Sequence, residues 1–558
     1  MSVFWIKKVR EWMEQPVKAV LILWGIALLV RANIFQNGFV MDDYDFIVDW
    51  PLIQDWRNWP RFFVNYVPPE GQEGVYSPLK TLVHAVNYHL FGLNPLGYHW
   101  VSLGIHSLGI LYVYRIVRFL AKDAPIAFWA TLLFAVHPVQ VEAITYMTAS
   151  VDMLGIVFLL MSVYYYMRFQ DCEMNISLYG WSLAWAFLAV FTHELAISLP
   201  LLIGWYHICF FQGKRKWRTL IINGWPFLFL VLSYVSCKYA VLGGITRGDY
   251  IYGQASLTAW VMIKAWMKYV LISLFPWTLT HHHQISPGIF AFDPGDFDRF
   301  AVLSQSFFEP RILLSSVGLT GIFYAAVKCW KKHRLVSFFI GWFFICLLPV
   351  SNIIPSGIYF GERYLYPGLW ALTTLVAWGG MIMWRRDKIA RVFGVVLLMG
   401  LSLYYGGRTW VRNQDWRDEI TFYKKAAEAT PTSALMWTDL GIVYHKKGYL
   451  DKALESLQKA LDIRPNDPVI YFAMGNVFID QGKNKEAMAA LKEAITLNPS
   501  YGEAYYNLAG LYALSRQYDE AKKALRTSLE LYRQQGRAGE ARELEDSFKA
   551  FFHIFDKP

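Results

Sequence analysis

Residues 434–467, ALMWTDLGIVYHKKGYLDKALESLQKALDIRPND, are followed at once by residues 468–501, PVIYFAMGNVFIDQGKNKEAMAALKEAITLNPSY, and the two stretches align without a gap. Trp437, Leu440, Gly441, Tyr444, Ala453, Leu457, Ala460 and Pro465 return 34 residues later as Tyr471, Met474, Gly475, Phe478, Ala487, Leu491, Ala494 and Pro499. A third, weaker copy carries Tyr505, Leu508, Ala509, Tyr512, Ala521, Leu525, Ser528 and Arg533. A period of this length is one helix pair, in which small residues let the two backbones approach and large apolar residues fill between them. The pattern therefore dictates a stack of antiparallel helices.

This is the tetratricopeptide pattern, and it divides the last part of the chain. Three repeats occupy 433–535, and the third loses its proline and runs into a charged segment, 536–558, that reads as a capping helix. Upstream, Tyr423, Ala426 and Pro431 fit half a repeat, so 407–432 is a connector. Nothing in the solenoid looks catalytic; it reads as a surface for protein partners.

Working outward from the repeats, the composition changes abruptly. The first 406 residues hold 31 Lys+Arg and 22 Asp+Glu, whereas the last 152 hold 22 and 21. The apolar fraction of the whole chain is 55% and its mean hydropathy +0.27, too greasy for an ordinary soluble protein. Residues 1–406 are therefore a membrane domain. Nearly all of the net charge of +10 lies there, where basic residues mark cytoplasmic loops, so it does not argue for nucleic acid. The five cysteines show no CxxC or zinc spacing, which excludes a disulfide framework or metal knuckle.

Eleven stretches are long enough to cross hydrocarbon: about 17–35, 97–117, 125–146, 151–168, 177–195, 196–212, 219–241, 311–327, 335–354, 365–384 and 390–406. Basic residues mark alternate ends: Lys7, Lys8 and Arg10; Arg118 and Lys122; Arg168; Lys214, Arg215, Lys216 and Arg218; Lys328, Lys331, Lys332 and Arg334; Arg385, Arg386 and Lys388. Each set reads as cytoplasmic. Because Arg218 and Lys328 then lie on one side, the intervening stretch 258–277 is expected along the interface or re-entering, with Lys264 and Lys268 at the surface. The N-terminus is inside and the C-terminus outside. Two long outer loops result, 36–96 and 242–310.

Most carboxylates collect on the outer side. Asp42 and Asp43 follow the first span directly, where unsolvated charge is costly unless paired or used. His137 and Glu142 end the third span, Asp152 begins the fourth, and His193 and Glu194 end the fifth, all at one membrane level. A shared outward-facing cavity accounts for them. Lys80 lies in the first outer loop, and Glu362 and Arg363 follow the ninth span; a guanidinium at that level suits a phosphate. His99 and His106 share one helix face and are expected to be buried and hydrogen-bonded. His281, His282 and His283 are expected on an exposed loop, without metal, and Asp293, Asp296 and Asp298 on a solvated one.

Several motifs together resemble the transmembrane-and-tetratricopeptide O-mannosyltransferases, membrane glycosyltransferases of the GT-C superfamily. They are Asp42-Asp43, the segment Pro78 to His99, Ala135 to Ala143, Thr192-His193-Glu194, Phe275-Pro276-Trp277, Pro349 to Asn352, Glu362 to Pro367 and the repeats. The resemblance implies an all-α, GT-C-like fold of about eleven spans before an α-solenoid. It also implies a polyprenyl-phosphate sugar donor with a mannose-like hexose, transfer on the non-cytoplasmic face, and an acid in the first outer loop as base. Ser77-Pro78 departs from an expected Arg-Pro, and His193-Glu194 from Lys-Glu.

Joined to the residues, this gives Asp42 or Asp43 as base and Arg363 on the donor phosphate. Glu142, Asp152, His137, His193, Glu194, Glu362 and Lys80 would orient sugar, acceptor or catalytic groups. No cofactor or metal is required, and inversion follows from single displacement. The expected partners are the lipid-linked sugar, membrane lipid and an acceptor protein held by the repeats. A bacterial inner membrane with periplasmic repeats is expected, or the endoplasmic reticulum with lumenal repeats in a eukaryote. Rival readings are a non-enzymatic scaffold, a transferase acting on polysaccharide or lipid, and a transporter of lipid-linked sugar.

Overall fold

The computed structural model describes residues 13–64, 75–172, 174–211, 216–292 and 309–555. Lys7, Lys8, Arg10, Lys214, Arg215, Asp293, Asp296 and Asp298, singled out above, lie outside the described residues. The chain divides into two compact units, Met1–Phe422 and Tyr423–Pro558.

The first unit is built of apolar helices. Among the described residues, seven helices, against the eleven stretches expected, are long and apolar enough to cross a membrane, including Pro95–Ala121, Met147–Asp171, Ala255–Leu274 and Pro310–Cys329. Shorter apolar helices, such as Pro16–Val30, Ala124–Ala135 and Ile176–Thr192, pack with them. Helix Met147–Asp171 is the hub: 83% of its most apolar window is buried, against 17% for Pro310–Cys329, which turns Leu314, Val317 and Val327 outward. Starts are set by chemistry the sequence spells out. Proline opens Pro16–Val30, Pro78–Phe91 and Pro95–Ala121, where its missing N–H costs nothing. Asn94, Asp123, Asn175 and Asp387 cap the helices that follow them by accepting backbone N–H bonds.

Several expected spans are broken near one end. The run 125–146 is helix Ala124–Ala135, then a turn, then the short helix Gln140–Thr145. Pro138 supplies no N–H and disfavours helix at His137, so the chain reverses while its residues remain apolar. The run 17–35 ends as a helix at Val30, and Arg31 donates to the Ala135 carbonyl at 2.5 Å. The run 177–195 stops at Thr192, where His193 is fully extended.

Two further details differ from expectation. The lysines of helix Ala255–Leu274, which is long and apolar enough to cross a membrane, face protein. Lys264 binds the Glu309 carboxylate at 2.7 Å, and Lys268 donates to the Gln284 carbonyl at 2.7 Å. The histidine triplet is buried, with His282 stacked on Phe290. Beside it lies a small antiparallel hairpin, Gln284–Ser286 with Ile289–Phe290, in an otherwise helical unit.

The second unit contains helices Ala434–Lys446, Leu450–Ile463, Pro468–Asp480, Asn484–Leu497, Gly502–Leu514, Tyr518–Gln534 and Ala538–Phe555. Pro465 and Pro499 each stand two residues beyond a helix end; where Arg533 replaces proline, the helix runs on to Gln534. Gly448 and Gly482 adopt left-handed backbone at φ 79° and 72°, and Arg516 takes the equivalent position at φ 61°. A side chain added at Gly441 would meet Leu457 at 2.7 Å and the Ala453 carbonyl at 3.2 Å. Gly441→Val is therefore expected to destabilise this unit by about 1–3 kcal/mol, measurable as an earlier repeat transition in thermal unfolding.

Candidate active site

A cavity of about 760 Å³ lies near these helix ends. Asp42, Lys80, Asp152, His193, Glu194 and Arg363 all line it, although they come from five separate segments. One wall is apolar, with Ile197, Leu201, Val231, Val235, Ile353 and Ile354. A polar floor beside a hydrocarbon wall suits a ligand with a charged head and a lipid tail.

The adjacent aspartates have different surroundings. Met41 adopts left-handed backbone at φ 52°, turning the chain so that Asp42 faces the cavity half-exposed, while Asp43 is fully buried. The Asp43 carboxylate accepts from the Thr148 N–H at 2.8 Å, the Thr148 hydroxyl at 2.7 Å and the Val40 N–H at 3.2 Å. It thus ties the first outer loop to the N-terminus of helix Met147–Asp171, where a helix dipole favours an acid. Asp42 is within electrostatic reach of Tyr146 and Arg363.

Burial nevertheless pushes the Asp43 acid up to about 7, against the pull of its donors. Between the ordinary unfolded value near 4 and about 7 the folded chain holds the extra proton, so stability falls as pH rises through that window and levels off above it. Asp43→Asn is expected to remove this component; the check is the difference in unfolding temperature between the two proteins from pH 4 to 8.

Around Asp42, cations are held by buried carboxylates. Arg363 Nη1 binds Glu142 at 2.8 Å, and the other Glu142 oxygen accepts the Glu362 N–H at 3.1 Å. Lys80 binds Asp152 at 2.8 Å, with His193 Nε2 at 3.8 Å. Lys238 and Arg247 share Glu194 at 2.7 and 3.0 Å, and Tyr234 donates to the same oxygen as Lys238 at 3.3 Å. Tyr364 lies between Arg363, which reaches its hydroxyl at 3.5 Å, and Arg247, which acts on it electrostatically. Arg363 is thus not the sole cation at this level. Lys238 was legible as the one charge inside an otherwise apolar span; Arg247 gave no signal beyond its sign.

Four of the predicted site residues do not line the cavity: Asp43 and Glu142, whose bonds are given above, and His137 and Glu362. His137 is fully buried, its Nε2 bonded to the Ser273 carbonyl at 3.0 Å and its Nδ1 accepting the Val139 N–H at 3.3 Å, and so holds the turn at Pro138. Glu362 accepts from the Thr280 N–H and His283, each at 2.8 Å, with Arg412 at 3.6 Å. It stands behind the site and fixes the segment that carries Arg363. His281 faces Glu142 at 3.6 Å. His99 and His106 are buried but bonded separately, to the Asn37 carbonyl and to Tyr366 with the Ala135 carbonyl. Among the described residues no group of three or more His, Cys, Asp or Glu is placed to hold a metal ion.

Residues 76–239 match the dolichyl-phosphate-mannose-protein mannosyltransferase family, and 445–515 and 502–542 match tetratricopeptide repeats. Most of the cavity's acids and Lys238 fall inside the first match. The protein O-mannosyl-transferase Tmtc3 of Drosophila melanogaster is 25% identical over 508 residues, covering 76% of this chain and 53% of that protein. The human protein O-mannosyl-transferase TMTC3 is 24% identical, covering 79% and 50%. The chain resembles the transmembrane-and-tetratricopeptide O-mannosyltransferases. It spans about half the length of these two curated relatives. Among solved structures, the apo oligosaccharyltransferase of Archaeoglobus fulgidus is 13% identical over 73% of this chain and 56% of that one, with a TM-score of 0.41.

Proposed function

We propose that this protein is an inverting membrane glycosyltransferase of the GT-C type. It moves a mannose-like hexose from a polyprenyl phosphate to a Ser or Thr hydroxyl of an acceptor protein, on the non-cytoplasmic face of a bacterial inner membrane or of the endoplasmic reticulum. The observation that carries this reading is one cavity lined by a carboxylate, several cations and a hydrocarbon wall. Sequence likeness to protein O-mannosyl-transferases supports it.

In this mechanism Asp42 takes the proton of the acceptor hydroxyl as its oxygen attacks the anomeric carbon. The bond from that carbon to the phosphate oxygen breaks, and polyprenyl phosphate leaves with an added negative charge. Arg363 and Arg247 receive that charge, with Lys238 beside them, and fixed guanidiniums in a partly dry site stabilise it without reorganising. Asp43 positions Asp42, while Glu142, Asp152 and Glu194 hold the cations that would otherwise wander. His193 and Lys80 border the sugar. Lys238 and Arg247 take the place of the cations that the family pattern leads one to expect at Ser77 and His193. Every role is filled by side chains, and the mechanism calls on no cofactor.

The test is a panel of polyprenyl-phosphate sugars incubated with purified protein and a Ser/Thr peptide. One hexose donor should be consumed and the glycosidic bond formed with inverted configuration. Retained configuration would rule out single displacement, and consumption of no donor would overturn the reading. Deleting 433–558 should lower modification of a protein acceptor more than hydrolysis of the donor; equal protein modification would remove the repeats from acceptor binding.

A further inference from the structure

A second cavity, of about 480 Å³, lies between helices Pro16–Val30, Pro95–Ala121 and Met147–Asp171, far from the proposed active site. Asp152 lines the first cavity and Arg168 the second, and both stand on helix Met147–Asp171. Sixteen residues at about 1.5 Å each separate them by about 24 Å, most of a bilayer's hydrocarbon thickness. Arg118 and Arg168 belong to the basic sets that mark the cytoplasmic side.

The lining combines two features. Arg115, Arg118 and Arg168 supply three guanidiniums, and no carboxylate side chain lines the cavity. Their bonds within the protein are weak: Arg118 Nη2 reaches the Glu14 carbonyl at 3.5 Å, and its buried Nη1 has no hydrogen-bond partner. Arg168 donates to the Tyr164 hydroxyl at 3.3 Å and the Cys172 sulfur at 3.4 Å, and Arg115 lies over the Tyr112 and Tyr164 rings. Toward the bilayer the cavity continues along Val17, Leu21 and Trp24, of which Val17 and Leu21 are 71% and 56% exposed. Guanidiniums with no carboxylate side chain among the described residues lining their cavity, set beside an exposed apolar stripe, are complementary to a phosphate attached to acyl chains.

We propose that this cavity is a binding site for an acidic glycerophospholipid of the cytoplasmic leaflet. The phosphate sits among Arg115, Arg118 and Arg168, and one acyl chain follows the Val17–Leu21–Trp24 face. The ligand is a constituent of the bilayer, not the sugar donor, whose phosphate is received in the opposite leaflet.

The full chain is reconstituted in nanodiscs of phosphatidylcholine with one-tenth phosphatidylglycerol, and the lipids retained are counted by native mass spectrometry. Wild type should keep one phosphatidylglycerol at least tenfold above its share of the bilayer. R115Q/R118Q/R168Q should lose that enrichment, while K331Q/K332Q/R386Q, which removes the same charge elsewhere, should keep it. Donor consumption by the first variant reports that it is folded; if it is inactive, R118Q alone is read and should lower enrichment at least threefold. Retention in proportion to bilayer composition, or equal loss in both triple variants, would overturn the proposal. Displacement by millimolar inorganic phosphate would assign the site to a free anion, and preferential retention of added polyprenyl phosphate to the donor lipid; either result overturns it.

Discussion

Replacing Asp42 by asparagine is expected to lower sugar transfer by about 10³-fold, the scale of losing a general base, with little change in unfolding temperature. Asp42 is half-exposed, its main-chain carbonyl accepts from Phe46 and Thr148, and an asparagine oxygen can still accept from Tyr146, with which the Asp42 side chain interacts. Asp43→Asn should behave differently. One amide oxygen can still accept from Thr148, but the amide nitrogen then faces the Val40 N–H, donor against donor, in a place closed to water. A cost of about 1–3 kcal/mol follows from one unsatisfied buried group. Its activity loss should shrink when assays are run well below its lowered melting temperature. Steady-state donor turnover and thermal unfolding, measured side by side, separate the two roles; equal losses of activity at equal stability would assign both carboxylates to the chemistry.

The second large effect is at Arg363. Its guanidinium and Glu142 form a pair in which the carboxylate is fully buried. Arg363→Gln leaves that carboxylate without its counter-ion, and breaking a buried pair from one side costs about 3–5 kcal/mol. Adding Glu142→Gln should return most of the stability, because two amides can bond where two charges did. Activity should stay low in both, since neither restores a cation to the leaving phosphate. A double-mutant cycle on unfolding free energy and on donor turnover reads the two outcomes independently. Recovery of turnover in the double variant would limit Arg363 to holding the fold.

The repeats were legible because 34-residue spacing is a local property: each copy declares the same small and large positions, and Pro465 and Pro499 announce the helix ends. Most apolar helices were legible for the same reason. Their outer ends were not. Hydropathy cannot register the reversal at His137-Pro138, because Ala135, Val136, Val139 and Val141 remain apolar on both sides of it. That reversal decides which residues reach the cavity: it buries His137 behind the site and turns Glu142 toward Arg363.

Adjacency concealed another distinction. Asp42 and Asp43 are equivalent in sequence, and only the left-handed turn at Met41 and the position of Thr148, more than a hundred residues away, separate them. The histidine triplet shows the converse. Three polar residues in a row read as solvent-exposed, yet in the interior Glu362 accepts from His283, Glu142 faces His281 and Phe290 stacks on His282. Partners supplied by the tertiary fold, rather than local character, decide burial in each case.

A structure of the protein bound to polyprenyl phosphate shows directly where the lipid phosphate rests. The phosphate is expected between the Arg247 and Arg363 guanidiniums, within about 3–4 Å of both, with the prenyl chain along Leu201, Val231 and Ile354. Phosphate density at any site remote from these two arginines, or a prenyl chain that does not touch this wall, would contradict it.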